Sequence, residues 1–210
     1  MVNHVLTILV LIMFSFGASA QLNDEYYENG QLKHSGELNN GKKNGEWNFY
    51  YPSGIKEATE HYKLGELHGE AINFDFDGNK IAIEQWSNGN LEDSAIYFYP
   101  NGVIEKKGLY SAGQYSGIWE FNYENGLLKK RLNYQGGLPH GEWTFFDENG
   151  TLLQEGYFEN GLEEGEWKFY SNKGWLLYTG SYESGKRTGN WFKLNKRGKK
   201  TPLDYSDWEF

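Results

Sequence analysis

Glycine recurs in this chain with a period of 24 residues. The first row holds eight glycines without a gap: Gly30, Gly54, Gly78, Gly102, Gly126, Gly150, Gly174 and Gly198. The second row runs from Gly41 to Gly185 and the third from Gly45 to Gly189, with Asp93 in place of one member of the third. No insertion or deletion breaks the register, so the chain is built from copies of one short unit.

One unit reads as two β-strands joined by turns. Residues 165–170 alternate aromatic with charged side chains, which is the period-two pattern of a strand with two different faces. An Asn-Gly or related pair between such runs is the strongest short-range signal of a hairpin. We expect a second strand over residues 175–182. Residues 183–189, with a glycine near each end, are expected to be the connection to the next unit.

Stacked hairpins predict an all-β protein. A two-stranded unit cannot bury a face alone, so neighbouring units must share their stability. The fold we expect is an elongated, twisted antiparallel β-meander of hairpin repeats, with about 14 strands in seven 24-residue units. The repeat domain should span residues 21–200. The tail, residues 201–210, should cap the last edge strand, because an open edge invites pairing with another chain.

Large aromatic residues recur with the same 24-residue period. Exposed rings at regular spacing could stack on sugars or anchor a partner peptide, or they could form the core of a thin sheet. The unit around residues 71–95 is degenerate, since Ala71 and Ala95 stand in the tryptophan row. Ile72 and Ile96 are expected to compensate on the opposite face. The candidate binding rings are Trp47, Trp119, Trp143, Trp167, Trp191, Tyr62, Trp86, Tyr110, Tyr134 and Tyr182.

The first 20 residues have the features of a signal peptide. Residues 5–16 form an apolar run, and Ala18 and Ala20 form a small-residue cleavage site before Gln21. The alternative is an uncleaved anchor, although the run is short for a bilayer span. No second apolar run follows, so we expect no transmembrane span after processing. The sequence predicts an exported protein, either periplasmic or extracellular, cleaved between Ala20 and Gln21.

Composition excludes several functions. The net charge is −9, and Lys and Arg are scattered apart from a short run at 196–200, which argues against nucleic-acid binding. Cysteine is absent, so disulfides, thiolate metal sites and cysteine nucleophiles are excluded.

No catalytic or metal site is expected. His68 and His140 share one slot of the repeat but lie three units apart, too far to share a metal. Residues 75–79 resemble the start of a calcium loop, but they occupy a turn slot and lack the remaining ligands. We therefore expect no metal, no cofactor and no enzymatic activity. A solvated row of carboxylates, rather than a glycosidase pair, is expected at Glu46, Glu70, Glu142 and Glu166.

Residues 160–170, Asn-Gly-Leu-Glu-Glu-Gly-Glu-Trp-Lys-Phe-Tyr, resemble the MORN repeat variant. The same signature recurs at residues 40–50 and 137–146. The resemblance implies an antiparallel hairpin ribbon and a role in membrane association, scaffolding or self-association. Many bacterial relatives carry the name of antitoxins. The export signal departs from a cytosolic antitoxin, and the acidic charge departs from a phospholipid binder.

Three functional hypotheses remain open at this point. The first is an exported, non-catalytic scaffold that binds an unidentified protein. The second is a carbohydrate-binding module for cell-wall polysaccharide that uses the aromatic rows. The third is an antitoxin or immunity protein, which only the family resemblance implies.

Overall fold

The computed structural model describes residues 21–203, which form one antiparallel sheet with its strands in chain order. The predicted signal peptide, residues 1–20, and the end of the predicted tail, residues 204–210, lie outside the described residues. The strands are β1 Gln21–Tyr26, β2 Leu32–Asn39, β3 Lys42–Tyr50, β4 Lys56–Lys63, β5 Glu66–Phe74, β6 Lys80–Ser87, β7 Asn90–Phe98, β8 Ile104–Ser111, β9 Gln114–Asn122, β10 Leu128–Gln135, β11 Leu138–Phe146, β12 Leu152–Glu159, β13 Leu162–Tyr170, β14 Leu176–Glu183, β15 Lys186–Leu194 and β16 Lys200–Pro202.

The predicted all-β meander is confirmed, with two strands more than expected. Strands β2 to β15 are the fourteen repeat strands, while β1 and β16 add one strand at each end. Strand β16 crosses the boundary predicted at residue 200, because Thr201 and Pro202 continue its pairing with β15. The start of the tail therefore extends the sheet.

The turns of the first glycine row tie successive units together. In these five-residue turns the first residue donates its N–H to the fifth, as Tyr51 does to Ile55 at 2.8 Å. Where the first residue is tyrosine, its hydroxyl reaches the next unit: Tyr51 Oη donates to the carbonyl of Phe74 at 2.7 Å. Tyr27, Tyr99 and Tyr123 make the equivalent bond 23 residues along the chain.

In the other units, the side chain of the first turn residue accepts hydrogen bonds from backbone N–H groups of the same turn. Asp75 Oδ1 accepts the N–H groups of Asp77 and Asn79 at 2.9 and 2.8 Å. Asp147, Ser171 and Asn195 use their side-chain oxygens in the same way. The stretch that resembles a calcium loop is therefore a turn whose acidic residue caps its own backbone.

The turns of the second glycine row are two-residue hairpins. Asn40 and Gly41 have φ values of 52° and 75°, as a type I′ turn requires. The first position is Leu64 in one unit and Ala112 in another, at 54° and 50°. A side chain other than Asn, Asp or Gly is strained in this left-handed region, because its Cβ approaches the neighbouring carbonyl.

The third glycine row lies inside strands, which corrects the connection predicted for residues 183–189. The turn there consists of Ser184 and Gly185, and β15 already begins at Lys186. In β3 the equivalent Gly45 opens a bulge, since Glu37 pairs with Asn44 while the adjacent Gly36 pairs with Trp47. All members of this row, including Asp93 at 68°, have positive φ, which this bulge requires.

Strand alternation gives the sheet two different faces. The ring face carries the tryptophan row. The variable face carries the alternate residues of each strand, which point away from the tryptophan row. Its centre is one unbroken line of residues that lie directly opposite one another on neighbouring strands. This central row consists of Asp24, Ser35, Asn48, Thr59, Ile72, Ile83, Ile96, Lys107, Glu120, Arg131, Thr144, Glu155, Lys168, Thr179, Phe192 and Pro202.

The strained hairpin positions generate a stability prediction. Replacing Leu64 or Ala112 with Asn should stabilise the protein by about 1 kcal/mol each, because Asn tolerates the left-handed conformation better. Urea unfolding of the purified protein measures the change. The matched control is Asn40→Ala at the same slot of the repeat, which should destabilise by a similar amount. A neutral result for all three variants would contradict the assignment of strain.

Candidate interaction surface

Each buried tryptophan lies over a glycine of the preceding strand. A Cβ placed on Gly108 would lie 2.3 Å from ring carbon Cδ2 of Trp119, and Gly36 stands in the same relation to Trp47. Gly156 and Gly180 repeat the arrangement with later tryptophans. Only glycine leaves room for the ring to lie flat on the backbone. The sequence-based prediction missed this fourth row of glycines, although its members are separated by multiples of 24 residues.

The tryptophan row is the core of the sheet. Trp47, Trp119, Trp167 and Trp191 are between 0 and 4% exposed. Trp143 faces Leu132, whereas the four buried tryptophans each face a glycine, and Trp143 is only half-buried. The other candidate rings are also half-buried: Tyr62, Trp86, Tyr110, Tyr134 and Tyr182. The candidate rings therefore pack against the sheet and one another, and none of them is fully exposed.

Rings of neighbouring units contact one another edge to face. Tyr182 lies between Trp167 and Trp191, with ring centroids 5.7 and 5.3 Å away. Phe158 bridges Trp143 and Trp167 at 5.8 and 5.2 Å. Such pairs contribute about 0.5–1.5 kcal/mol each beyond the area they bury. In the units that keep tryptophan, these ring contacts carry packing from one unit to the next.

Trp47 and Trp119 use their indole N–H groups to satisfy backbone carbonyls at the bulges. Trp119 Nε1 donates to the carbonyl of Leu109 at 2.8 Å, and Trp47 Nε1 donates to that of Glu37 at 3.1 Å. The register shift at each bulge places these carbonyls where strand pairing is interrupted. The indole therefore supplies both the core ring and a donor.

Two units replace the tryptophan–glycine pair with alanine and glutamate. Glu60 faces Ala71, and Glu84 faces Ala95, in the positions of glycine and tryptophan. The pairing shows that the two positions change together. The smaller alanine leaves room for a carboxylate, which requires hydrogen-bond donors when it is partly buried.

Hydroxyl and indole groups supply those donors. Tyr97 Oη donates to Glu84 at 2.7 Å and lies 3.1 Å from the hydroxyl of Tyr110. Trp86 Nε1 lies 3.3 Å from Glu84, and Tyr62 donates to Glu60. Burial raises the pKa of the Tyr110 hydroxyl to about 12. These tyrosines stay protonated as donors across the physiological pH range.

Lysines cover the ring face. Lys43 Nζ lies 4.4 Å from the centroid of Phe49 and 4.6 Å from that of Tyr62. Lys106 and Lys130 sit over the rings of Tyr97 and Phe121 in the same way. Burial lowers the pKa of Lys43 and of Lys130. These cations therefore lie over the half-buried rings of this face.

The variable face is open and carries charge. The Glu120 carboxylate forms an ion pair with Lys107 Nζ at 3.1 Å and lies 3.8 Å from Arg131 Nε. These three neighbours of the central row form a charged triplet. Further along, Glu155 binds Lys168 at 3.1 Å and Tyr170 at 2.7 Å. These two donors, the tyrosine first, lower the pKa of Glu155. The predicted carboxylate row is exposed on this face at Glu46, Glu70, Glu142 and Glu166.

The grooves found along the sheet also lie on the variable face. The most apolar has a volume of about 290 Å³ and is lined by Ile96, Leu109 and Ile118, with Lys107 and Glu120 at its rim. Another, of about 340 Å³, extends from Ile118 towards later strands. Leu109 and Ile118 are 44% and 48% exposed, which is unusual for apolar residues on a sheet face.

The histidines of the described part of the chain do not form a metal site. His68 and His140 are half-buried in equivalent slots of separate units. Among residues 21–203, no cluster of three or more metal-binding side chains is present. Within the same residues, no helix is long and apolar enough to cross a bilayer.

The repeat architecture and the position of its glycines and tryptophans define a MORN repeat protein. The MORN repeat variant family matches more than half of the chain, and the chain belongs to this family. Strands β5 and β6, which carry Ala71 and Glu84, and the start of β7 fall in an unmatched gap. The matches cover residues 25–40, 43–64, 94–112, 115–135, 139–160 and 163–184.

MORN repeats are generally associated with scaffolds for protein or membrane interaction, and the family is typically non-catalytic. Among curated proteins no match to the sequence was found. A crystal structure of TcdB2-TccC3-Cdc42 is similar at 14% identity and a TM-score of 0.20, over 84% of this chain and 13% of that one. A protein of unknown function from Bacteroides fragilis is 12% identical, with a TM-score of 0.12 over 90% and 91% of the two chains. These likenesses are too weak to indicate a shared function.

The tryptophan–glycine contact generates a second prediction. Gly108→Ala should destabilise the protein by about 1–3 kcal/mol, because the new methyl group overlaps the ring of Trp119. The chain itself supplies the compensating pair. Gly108→Glu combined with Trp119→Ala should be more stable than Gly108→Glu alone, as in the native Glu84 and Ala95 pair. A double-mutant cycle in urea measures the coupling, and additive effects would contradict the packing described here.

Proposed function

We propose that this protein is exported and acts as a non-catalytic scaffold that binds a partner protein on its variable face. One observation carries the proposal: the ring face repeats its tryptophan in five of the seven units, whereas the neighbouring slot of the variable face does not repeat one residue type. The slot of the central row that follows each tryptophan position holds a different kind of side chain in most units. In order its members are Asn48, Ile72, Ile96, Glu120, Thr144, Lys168 and Phe192.

A constant backbone with a changing surface suits recognition of an extended partner. The tryptophan core lies on the ring face, so a substitution on the variable face leaves that core intact. The same face combines exposed apolar groups at Leu109 and Ile118 with the charged triplet around Glu120. Protein interfaces have this mixture of an apolar centre and a polar rim.

Partner binding is tested with the purified protein immobilised and incubated with envelope extract. A specific protein should be retained, and Glu120→Lys, which reverses the centre of the triplet, should weaken its retention. The control is Glu148→Lys, an exposed carboxylate in a turn. Retention of nothing, together with measurable hydrolysis of an envelope substrate, would contradict the scaffold.

Export is supported by the apolar run and the small residues at Ala18 and Ala20. Expressed as the full chain in a bacterium, the protein should be recovered outside the cytoplasm with Gln21 as its first residue. Mass spectrometry of the intact protein measures this. Ala18→Arg with Ala20→Arg should block processing. Recovery of the wild-type chain from the cytoplasm with its first 20 residues intact would contradict export.

A further inference from the structure

The two units that lost their tryptophans gained an apolar strip on the opposite face. Ile72 faces Ile83, and Ile83 faces Ile96, as consecutive members of the central row. Leu109 and Ile118 continue the strip on the next two strands. We call Ile72, Ile83, Ile96, Leu109 and Ile118 the apolar strip. No other part of the central row holds three aliphatic residues in succession, within the described residues 21–203.

We propose that the apolar strip is the docking site for an amphipathic helix of a partner protein, with basic residues at one end of that helix. The proposal rests on the scaffold function and specifies its site and the chemistry of its partner. It follows from the geometry of the strip, from the backbone requirements of its occupant and from the charges around it.

The strip crosses strands β5 to β9 instead of following one strand. Five strands span roughly 19 Å between the first and the last, which matches a helix of about 13 residues. Successive turns of a helix, about 5.4 Å apart, would place one apolar side chain close to each strand of the strip. The groove at Ile96, Leu109 and Ile118 has a volume of about 290 Å³, which is large enough to receive side chains from one end of the helix.

An occupant of a sheet face must satisfy its own backbone. The N–H and C=O groups of β5 to β9 are paired with neighbouring strands, so they offer no edge to an extended peptide. A peptide lying extended on the strip would leave its own polar groups facing aliphatic side chains. A helix bonds its backbone internally and presents only side chains, which selects a helix over a strand.

Charge sets the direction of the helix. On the side of β3 and β5 the strip is bordered by Glu46 and Glu70, both exposed. Glu46 has His61 Nε2 at 3.9 Å as a weak counter-charge. On the other side Lys107 and Arg131 are already occupied by Glu120. The nearby Lys56 Nζ binds Asn48 Oδ1 and Thr59 Oγ1, at 2.8 and 3.2 Å, rather than these carboxylates. Glu46 and Glu70 therefore favour cations at the end of the helix that lies over β5.

The probe is a synthetic, capped 14-residue peptide with leucines along one helical face and lysines grouped at one end. Fluorescence anisotropy of the labelled peptide, titrated with the purified full chain, measures affinity. Two further peptides serve as controls: a scrambled sequence of the same composition, and one with glutamate in place of lysine. Only the first peptide should bind well. Equal binding of the scrambled peptide would show non-specific attraction and overturn the proposal, as would failure of the first to bind.

Two double variants locate the site, each with its own control. Leu109→Thr combined with Ile118→Thr should weaken peptide binding about tenfold. The control Tyr157→Thr changes an exposed apolar residue elsewhere on the same face and should not weaken binding.

Glu46→Gln combined with Glu70→Gln should weaken peptide binding and reduce its salt dependence. The control Glu142→Gln combined with Glu166→Gln, in the same slot of later units, should leave affinity and salt dependence unchanged. A control that loses as much affinity as its matched variant would overturn the assignment. Thermal unfolding confirms that each variant is folded.

Sedimentation velocity of the protein alone tests whether a second copy of this chain, rather than a partner helix, occupies the apolar strip. A dimer that dissociates in the Leu109→Thr, Ile118→Thr variant would overturn the proposal, because the strip would then be a self-association surface. A protein partner retained from envelope extract equally well by this variant would also overturn it, while leaving the scaffold function standing. Peptide binding at the strip without any retained envelope protein would contradict the scaffold instead.

Discussion

The contact between a tryptophan ring and a glycine on the preceding strand is the interaction on which the rest of this sheet depends. A single layer of strands has no second layer to cover it, so its core must be made within one face. Trp119 achieves this by lying on the backbone of Gly108, where the absence of a Cβ lets the ring lie flat and become fully buried. Leu132 shows the consequence of a side chain in that slot, because Trp143 there is only half-buried.

The same constraint explains why the degenerate units remain part of the sheet. Glutamate cannot share space with a tryptophan, so Glu60 and Glu84 occur with Ala71 and Ala95, and tyrosine and indole donors satisfy the carboxylates. The apolar content moves to Ile72, Ile83 and Ile96 on the other face. The polarity of the sheet is thereby inverted locally, and this inversion is what gives the variable face an aliphatic strip to offer to a partner.

Much of the fold could be predicted from the period alone, but the site could not. The prediction that Ile72 and Ile96 lie on the opposite face from Ala71 and Ala95 is confirmed, because strand alternation is a local property. The sequence predicts Gly189 to lie in a connection, whereas it lies inside β15, because a glycine with positive φ serves a turn and a bulge equally well. The choice between core and exposed rings also required the structure, because the pattern of aromatic residues is the same in both cases.

The sequence by itself determined the repeat, the strand alternation, the hairpin turns and the family, because these depend on residues near one another in the chain. The tertiary structure decided which rings are buried and which row of side chains is left open. It placed Lys107, Glu120 and Arg131 on adjacent strands, and it extended an aliphatic strip from Ile72 to Ile118. Those neighbours are set by strand register, including the two extra residues at each bulge, and register emerges only when the strands pair.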